Sequence, residues 1–167
     1  MADWESIVRT HGPMAFDTAW RLLGHVADTE DVVQEALLDA FRLHGRQPVG
    51  NWGGLLRQLA TRRAIDRLRQ RRTVFPLPPE PLVFEPASPK SEQPEALAIE
   101  HELADRLRLA VAALPDREST VFSLHYFGEM SNSDIAETLG ISTDATGVAL
   151  HKARKKLKES LGVQEVT

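Results

Sequence analysis

Apolar residues recur at every third and fourth position along most of this chain, the spacing that lays side chains on one side of a helix. In the run Leu55–Arg72, the residues Leu56, Ala60, Ala64 and Leu68 stack along a single side. In Asp28–Arg42 the burial side is Val32, Val33, Ala36, Leu37, Ala40 and Phe41. The pattern predicts helices over Trp4–Thr10, Met14–Leu23, Thr29–Leu43 and Trp52–Arg71, and again over Glu95–Leu114, Asp116–Phe127, Ser133–Leu139 and Thr143–Leu161. No alternation of period two is long enough to predict a strand, and no internal repeat is visible. The expected class is all-α. Asp28 is the expected N-cap of the third helix, with acids in the following turn where the helix dipole favours them. His44–Gly53 (HGRQPVGNWG) is a loop punctuated by glycine and proline.

Proline divides the chain. Seven of its ten prolines lie between Pro76 and Pro94, and proline both removes a donor and disfavours helix at the residue before it. The stretch therefore reads as an extended acidic linker, with Val74, Phe75, Leu77, Leu82, Val83 and Phe84 making it greasier than an inert spacer. The expected organisation is a helical domain over 1–72, a linker over 73–94 and a second helical domain over 95–162.

The formal net charge of −4 would argue against a nucleic-acid binder if charge were evenly spread, but it is segregated. Asp28–Asp39 holds five acids and no base, whereas Arg57–Arg72 holds seven arginines against Asp66 alone. Lys152–Lys158 adds five bases and no acid. Such blocks point to different partners for different faces. In the arginine run, Arg62 and Arg69 lie four and three residues from Asp66, within reach of it on one helix side. Arginine rather than lysine suits phosphate and base edges, because its planar fork is always charged.

The chain has no cysteine, which removes disulfide and thiolate chemistry and fits a reducing compartment. No apolar run approaches a membrane span, and MADWESIVRTHG lacks the apolar core of a signal peptide. A cytoplasmic protein is expected. The six histidines share no ligand spacing, and the acidic helix has no histidine at the spacing a metal site would use. His101 and Asp105 read as a surface contact. With no phosphate loop and no nucleophile elbow, neither a metal, a cofactor nor an active site is expected. The outward side of the acidic helix, with Asp31, Gln34, Glu35 and Leu38, suits docking to a protein. Trp52, beside the loop, could stack on a base or close the loop against the helices.

Ser131–Arg154 (SNSDIAETLGISTDATGVALHKAR) has the spacing of a helix-turn-helix. Ile135, Ala136 and Leu139 line the first helix, Gly140 allows the turn, Ile141 plugs the crossing, and Ser142 or Thr143 caps the second helix. That helix would enter the major groove by its first turns, and HKARKKLK continues it with positive charge.

Taken in order, these segments resemble a bacterial sigma factor of the sigma-70 family, of the extracytoplasmic-function (ECF) type. RLLGHVADTEDVVQEALLDAFR resembles that family's regions 2.1–2.2, with its DxEDxxQE core at Asp28, Glu30, Asp31, Gln34 and Glu35. WGGLLRQLATRRAIDRLRQRR resembles regions 2.3–2.4, and LPDRESTVFSLHYFGEMSNSDIAETLGIS with LHKARKKLK resembles region 4. The resemblance implies region 2 and region 4 helical domains and promoter-directed initiation by RNA polymerase, with no catalysis by the chain itself. Asp31, Gln34, Glu35 and Leu38 would meet the clamp helices of the polymerase β′ subunit, and region 4 the β flap. Asn51, Trp52, Arg62, Arg63, Asp66 and Arg69 would contact the −10 element. Thr143, Asp144, His151, Lys152, Arg154 and Lys155 would contact the −35 element. An anti-sigma factor is the further partner the resemblance implies. The alternative is a helix-turn-helix regulator that binds DNA without polymerase.

Two departures from the family pattern bear on recognition. Arg62 stands where the family usually has asparagine. The second helix of the helix-turn-helix reads TDATGVALHKAR, with Gly147 and Ala149 at positions expected to face bases, Thr146 at a core position and Val148 exposed. Base readout would then rest on few side chains.

Overall fold

The computed structural model describes residues 3–74 and 94–162, and among these every regular element is a helix. The expected linker lies almost entirely outside the described residues. Seven helices follow in order: α1 (Trp4–Leu23), α2 (Val26–His44), α3 (Trp52–Val74), α4 (Pro94–Ala113), α5 (Asp116–Tyr126), α6 (Asn132–Leu139) and α7 (Thr143–Leu161).

The first three pack as an antiparallel bundle. α1 is one helix rather than two, running through Pro13. Burial of Ile7, Ala15, Thr18, Ala19, Leu22 and Leu23 on a single side offsets the hydrogen bond that proline forgoes. Gly24, at φ 69°, takes the left-handed turn and donates its N–H to Trp20. α2 begins three residues earlier than its spacing predicts, with His25 at the N-cap. Asp28 is therefore inside the first turn and not the cap. In α3, Leu56, Ala60, Ala64 and Leu68 are all buried as their period requires, joined by Ile65. Ala36 and Ala40 of α2 and Ala60 and Ala64 of α3 are wholly buried, and such small residues let the axes approach closely.

The second half is built around the α5–α6–α7 hairpin. Ser131 accepts from the Asp134 N–H and Ser142 from the Ala145 N–H, capping α6 and α7. Gly140 makes the turn between them at φ 68°. Glu118 of α5 is buried, yet Lys156 of α7 donates to both its carboxylate oxygens at 3.0 and 2.9 Å. One of the five bases in the C-terminal block is thus an internal fastener. Lys156→Ala would leave a buried carboxylate with no partner, and we expect it to cost about 1–3 kcal/mol. Comparing urea midpoints of Lys156→Ala and Lys156→Ala/Glu118→Gln checks this, since the second change should recover most of the loss.

The buried residues of both halves form one contiguous cluster, with Leu107, Ala110, Leu139 and Ile141 packed against it. The halves expected to be joined by a linker are in direct contact, and this decides which charged groups are open.

Candidate nucleic-acid interface

The arginine run does not present one unbroken positive face. Arg63 grips Asp39 of α2 with Nε at 2.9 Å and Nη2 at 3.0 Å, and Glu35 lies 3.7 Å away. Arg67 reaches Asp28 at 3.4 Å and Glu35 at 3.8 Å. Arg71 bonds Asp28 and also donates to the Leu23 carbonyl at 3.3 Å. The acidic and basic blocks, expected to serve separate partners, neutralise each other across the α2–α3 seam. Forked arginine–carboxylate pairs of this kind fix both geometry and register.

The Arg71 hydrogen bond holds the Asp28 carboxyl below its ordinary value of 3.8, against the opposing effect of burial. A carboxyl depressed in the folded state adds stability above its unfolded pKa, and that stability is lost as pH falls through the folded value. Asp28→Asn should therefore melt lower than the native chain at pH 7. The gap should close as pH drops below about 4, the ordinary range of a free aspartate, in thermal melts across that window.

On the outward side of α2, Asp31, Gln34 and Leu38 are exposed, while Glu35 is shared with Arg63 and Arg67. Phe41, expected to be buried, is 55% exposed, its ring edge-on to Trp4 at 5.3 Å. Leu38 and Phe41, three residues apart, make an apolar pair beside Asp31 and Gln34. Their i, i+3 spacing is visible in the sequence, but the periodicity assigns Phe41 to the wrong side.

The residues expected at the −10 element divide into three kinds. Asn51 is the cap of α3, its Oδ1 accepting from the Gly54 N–H at 2.9 Å. Trp52 is half-buried and sits 6.2 Å from Trp4 and 5.7 Å from His44, centroid to centroid. These ring contacts set it against the bundle beside the loop. Arg62 and Asp66 are exposed, and no carboxylate among the described residues is within ion-pair distance of Arg62. Both line a crevice of about 300 Å³ with Arg69, Asp116 and Arg117. Arg69 turns out of the bundle to meet the α4–α5 turn, bonding Asp116 at 2.8 Å.

In α7, Thr143, Asp144, Val148, His151, Lys152, Arg154 and Lys155 form an exposed side. Arg154 donates to the Tyr126 hydroxyl at 2.6 Å, its guanidinium 5.3 Å from the ring centroid. Thr146 is wholly buried and satisfies its hydroxyl on the Ser142 carbonyl at 3.0 Å. Ala149 departs from expectation: it is 5% exposed and packs inward with Leu150, Ala153 and Leu157. Gly147 does face open space.

Asp105 pairs with Arg108 at 3.1 Å. Among the described residues no group of three or more His, Asp or Glu side chains is placed to hold a metal ion, and no helix is long and apolar enough to cross a membrane.

Comparison with known proteins adds to this geometry. The family model for sigma-70 region 2 matches residues 7–74, and that for sigma-70 region 4 matches residues 104–157. The ECF RNA polymerase sigma factor SigE of Mycolicibacterium smegmatis is 28% identical over 162 residues, covering 96% of this chain and 62% of that protein. The ECF RNA polymerase sigma factor SigW of Bacillus subtilis is 28% identical over 167 residues, covering 93% of this chain and 87% of that one. Among solved structures, the sigma factor RpoE from Bartonella quintana, in complex with the anti-sigma factor NepR, superposes with a TM-score of 0.56. That match covers 99% of this chain and 100% of the other at 19% identity, and it bears on the fold.

Proposed function

Because this chain belongs to the sigma-70 family, as an ECF-type sigma factor, we propose that it binds core RNA polymerase and directs it to specific promoters. It would act as a binding subunit with no active site of its own. What supports this reading is the pair of exposed faces on α2 and α7, which fall within the segments that match regions 2 and 4.

Asp31, Gln34, Leu38 and Phe41 offer an acidic rim around an apolar pair, suited to a basic helical partner such as the β′ clamp helices. Region 4 would meet the β flap. Arg62, Asp66 and Arg69, with Asn51 and the loop it caps, form the face for the −10 strand. Arg63 contributes there by holding α3 in register on α2 rather than as a free cation. On α7, Thr143, Asp144 and His151 are left to read −35 base edges, with Lys152, Arg154 and Lys155 on phosphate. A proteinaceous inhibitor is the natural regulator of such a subunit, and the cytoplasm, where polymerase works, its place of action.

The deciding experiment adds the purified chain to sigma-free core polymerase and measures run-off transcription from fragments of the host genome. Transcription that requires both the chain and core is the expected result. Specific DNA binding that core does not change would instead assign the chain to polymerase-independent regulators.

A further inference from the structure

The outward side of α7 is uneven in composition, with an apolar side chain at its centre. Asp144 lies four residues before Val148, and His151, Lys152 and Lys155 lie three, four and seven after it. Those spacings put all five on one side of the helix, and all five are exposed. The inward side is Thr146, Ala149, Leu150, Ala153 and Leu157, each of them buried. At 3.6 residues per turn, positions two apart lie nearly opposite each other. Thr146 and Leu150, two before and two after Val148, are both in the buried set. Val148 therefore points straight away from the core, and it is 53% exposed.

Charge separates the middle of this side from its rim. Lys152 and Lys155 supply cations toward the C-terminal end, and Arg154 is drawn to the flank by Tyr126, whose hydroxyl accepts from it at 2.6 Å. Asp144 and Val148 gain nothing from a phosphate, since like charge repels the carboxylate and an isopropyl group makes no hydrogen bond. Laid on the DNA backbone, this side would set Asp144 against like charge and Val148 against nothing apolar. Laid in the major groove, it puts the lysines at the phosphate walls and Asp144 and Val148 over base edges. Gly147 adds no side chain beside Val148, and a Cβ built there meets nothing within 4 Å, so no bulky neighbour holds the helix off the base edges. Among the groups that base pairs present in that groove, the apolar one is the C5-methyl of thymine.

We propose that Val148 is a specificity-determining residue of the −35 interaction: its isopropyl group packs on the C5-methyl of one thymine, and promoters used by this chain carry an A·T pair there in a fixed orientation. The proposal rests on the sigma-factor reading above and deepens its −35 part. The pair is read by apolar contact rather than by hydrogen bonds. Cytosine at that place offers an amino donor and no methyl group, so it leaves Val148 without a partner. Specificity then comes from a residue that carries no polar group, at the centre of a side whose cations grip any sequence alike.

Deoxyuridine tests this one methyl group at a time, because it pairs with adenine as thymidine does and lacks only the methyl. The protein is the full chain in holoenzyme. The probe is a promoter fragment that supports core-dependent run-off, with each thymine of its −35 element, on either strand, replaced singly by deoxyuridine. At one position the replacement should weaken promoter binding by the native holoenzyme about fourfold, the worth of burying one methyl group. Holoenzyme carrying Val148→Ala should bind the thymine and deoxyuridine forms of that promoter alike. Alanine is the better helix former at an exposed site, so thermal melts of this variant should match the native chain. Val148→Ile keeps an apolar tip and should keep the sensitivity to the methyl. Equal binding of both forms by the native holoenzyme at every position overturns the proposal, and so does a methyl preference that Val148→Ala leaves undiminished. Either result, with core-dependent transcription intact, leaves the sigma-factor reading standing. A native chain that supports no core-dependent transcription removes that reading, and the proposal with it.

Discussion

Replacing Asp31 by lysine and Leu38 by glutamate is expected to abolish co-purification with core RNA polymerase while leaving helix content unchanged. Both side chains are exposed on the outward side of α2, and Leu38 is 58% exposed. Neither has a fold role that its loss would damage. The inward carboxylates Asp28, Glu35 and Asp39 are committed to Arg63, Arg67 and Arg71. For that reason Glu35 is the poorer target: a lysine there would sit beside two arginines and disturb the α2–α3 seam. Charge reversal at Asp31 turns an attraction to a basic partner into a repulsion, and such juxtapositions cost several kcal/mol. Burying the carboxylate introduced by Leu38→Glu against an apolar partner surface adds its desolvation. Together they should weaken binding by well over about a hundredfold. Pull-down with core and circular dichroism on the same preparation make the measurement. Undiminished core binding by the double variant would remove α2 from the polymerase interface.

Ala149→Arg and Gly147→Lys, two changes that add a long cation to α7 two residues apart, are expected to have opposite outcomes. Ala149 is buried among Leu150, Ala153 and Leu157. An arginine there must overfill a packed space, at about 1–3 kcal/mol, and take its charge out of water, at several kcal/mol more. Domains have only about 5–15 kcal/mol to lose, so region 4 should unfold and −35-dependent transcription should vanish. A Cβ at Gly147 meets nothing within 4 Å. Gly147→Lys should therefore stabilise α7 by roughly 1 kcal/mol through helix propensity and steepen the salt dependence of DNA binding by about one unit through one added phosphate contact. Thermal melts and salt titrations of the two variants side by side settle the rotation of the helix. A stable Ala149→Arg chain with raised affinity would mean that α7 turns a different side to the core.

Local rules carry far in this chain. The period of Leu56, Ala60, Ala64 and Leu68 and the caps at Ser131 and Ser142 depend on residues only a few positions apart. So does the turn at Gly140, and all of these are legible in the order of residues alone. The motif order points to the family for the same reason, since each motif is a contiguous segment. What the sequence by itself leaves open is the state of each charge. Arg63 meets Asp39 across 24 residues and Arg71 meets Asp28 across 43, so the seven-arginine run is largely paired although its own segment offers only Asp66. Arg69 reaches region 4 across 43 to 47 residues. The same limit explains Phe41, which periodicity puts on the wrong side, and Ala149, which the family pattern puts at the bases: a helical repeat fixes residues relative to one another, but its zero point is set by the neighbours against which the helix packs. Sequence therefore determined the helical class, the helix-turn-helix with its turn at Gly140, and the order of the elements, while the packing of α2 on α3 and of region 4 on region 2 decided which faces remain open to a partner, because Coulombic pairing and burial depend on distance in space and not along the chain.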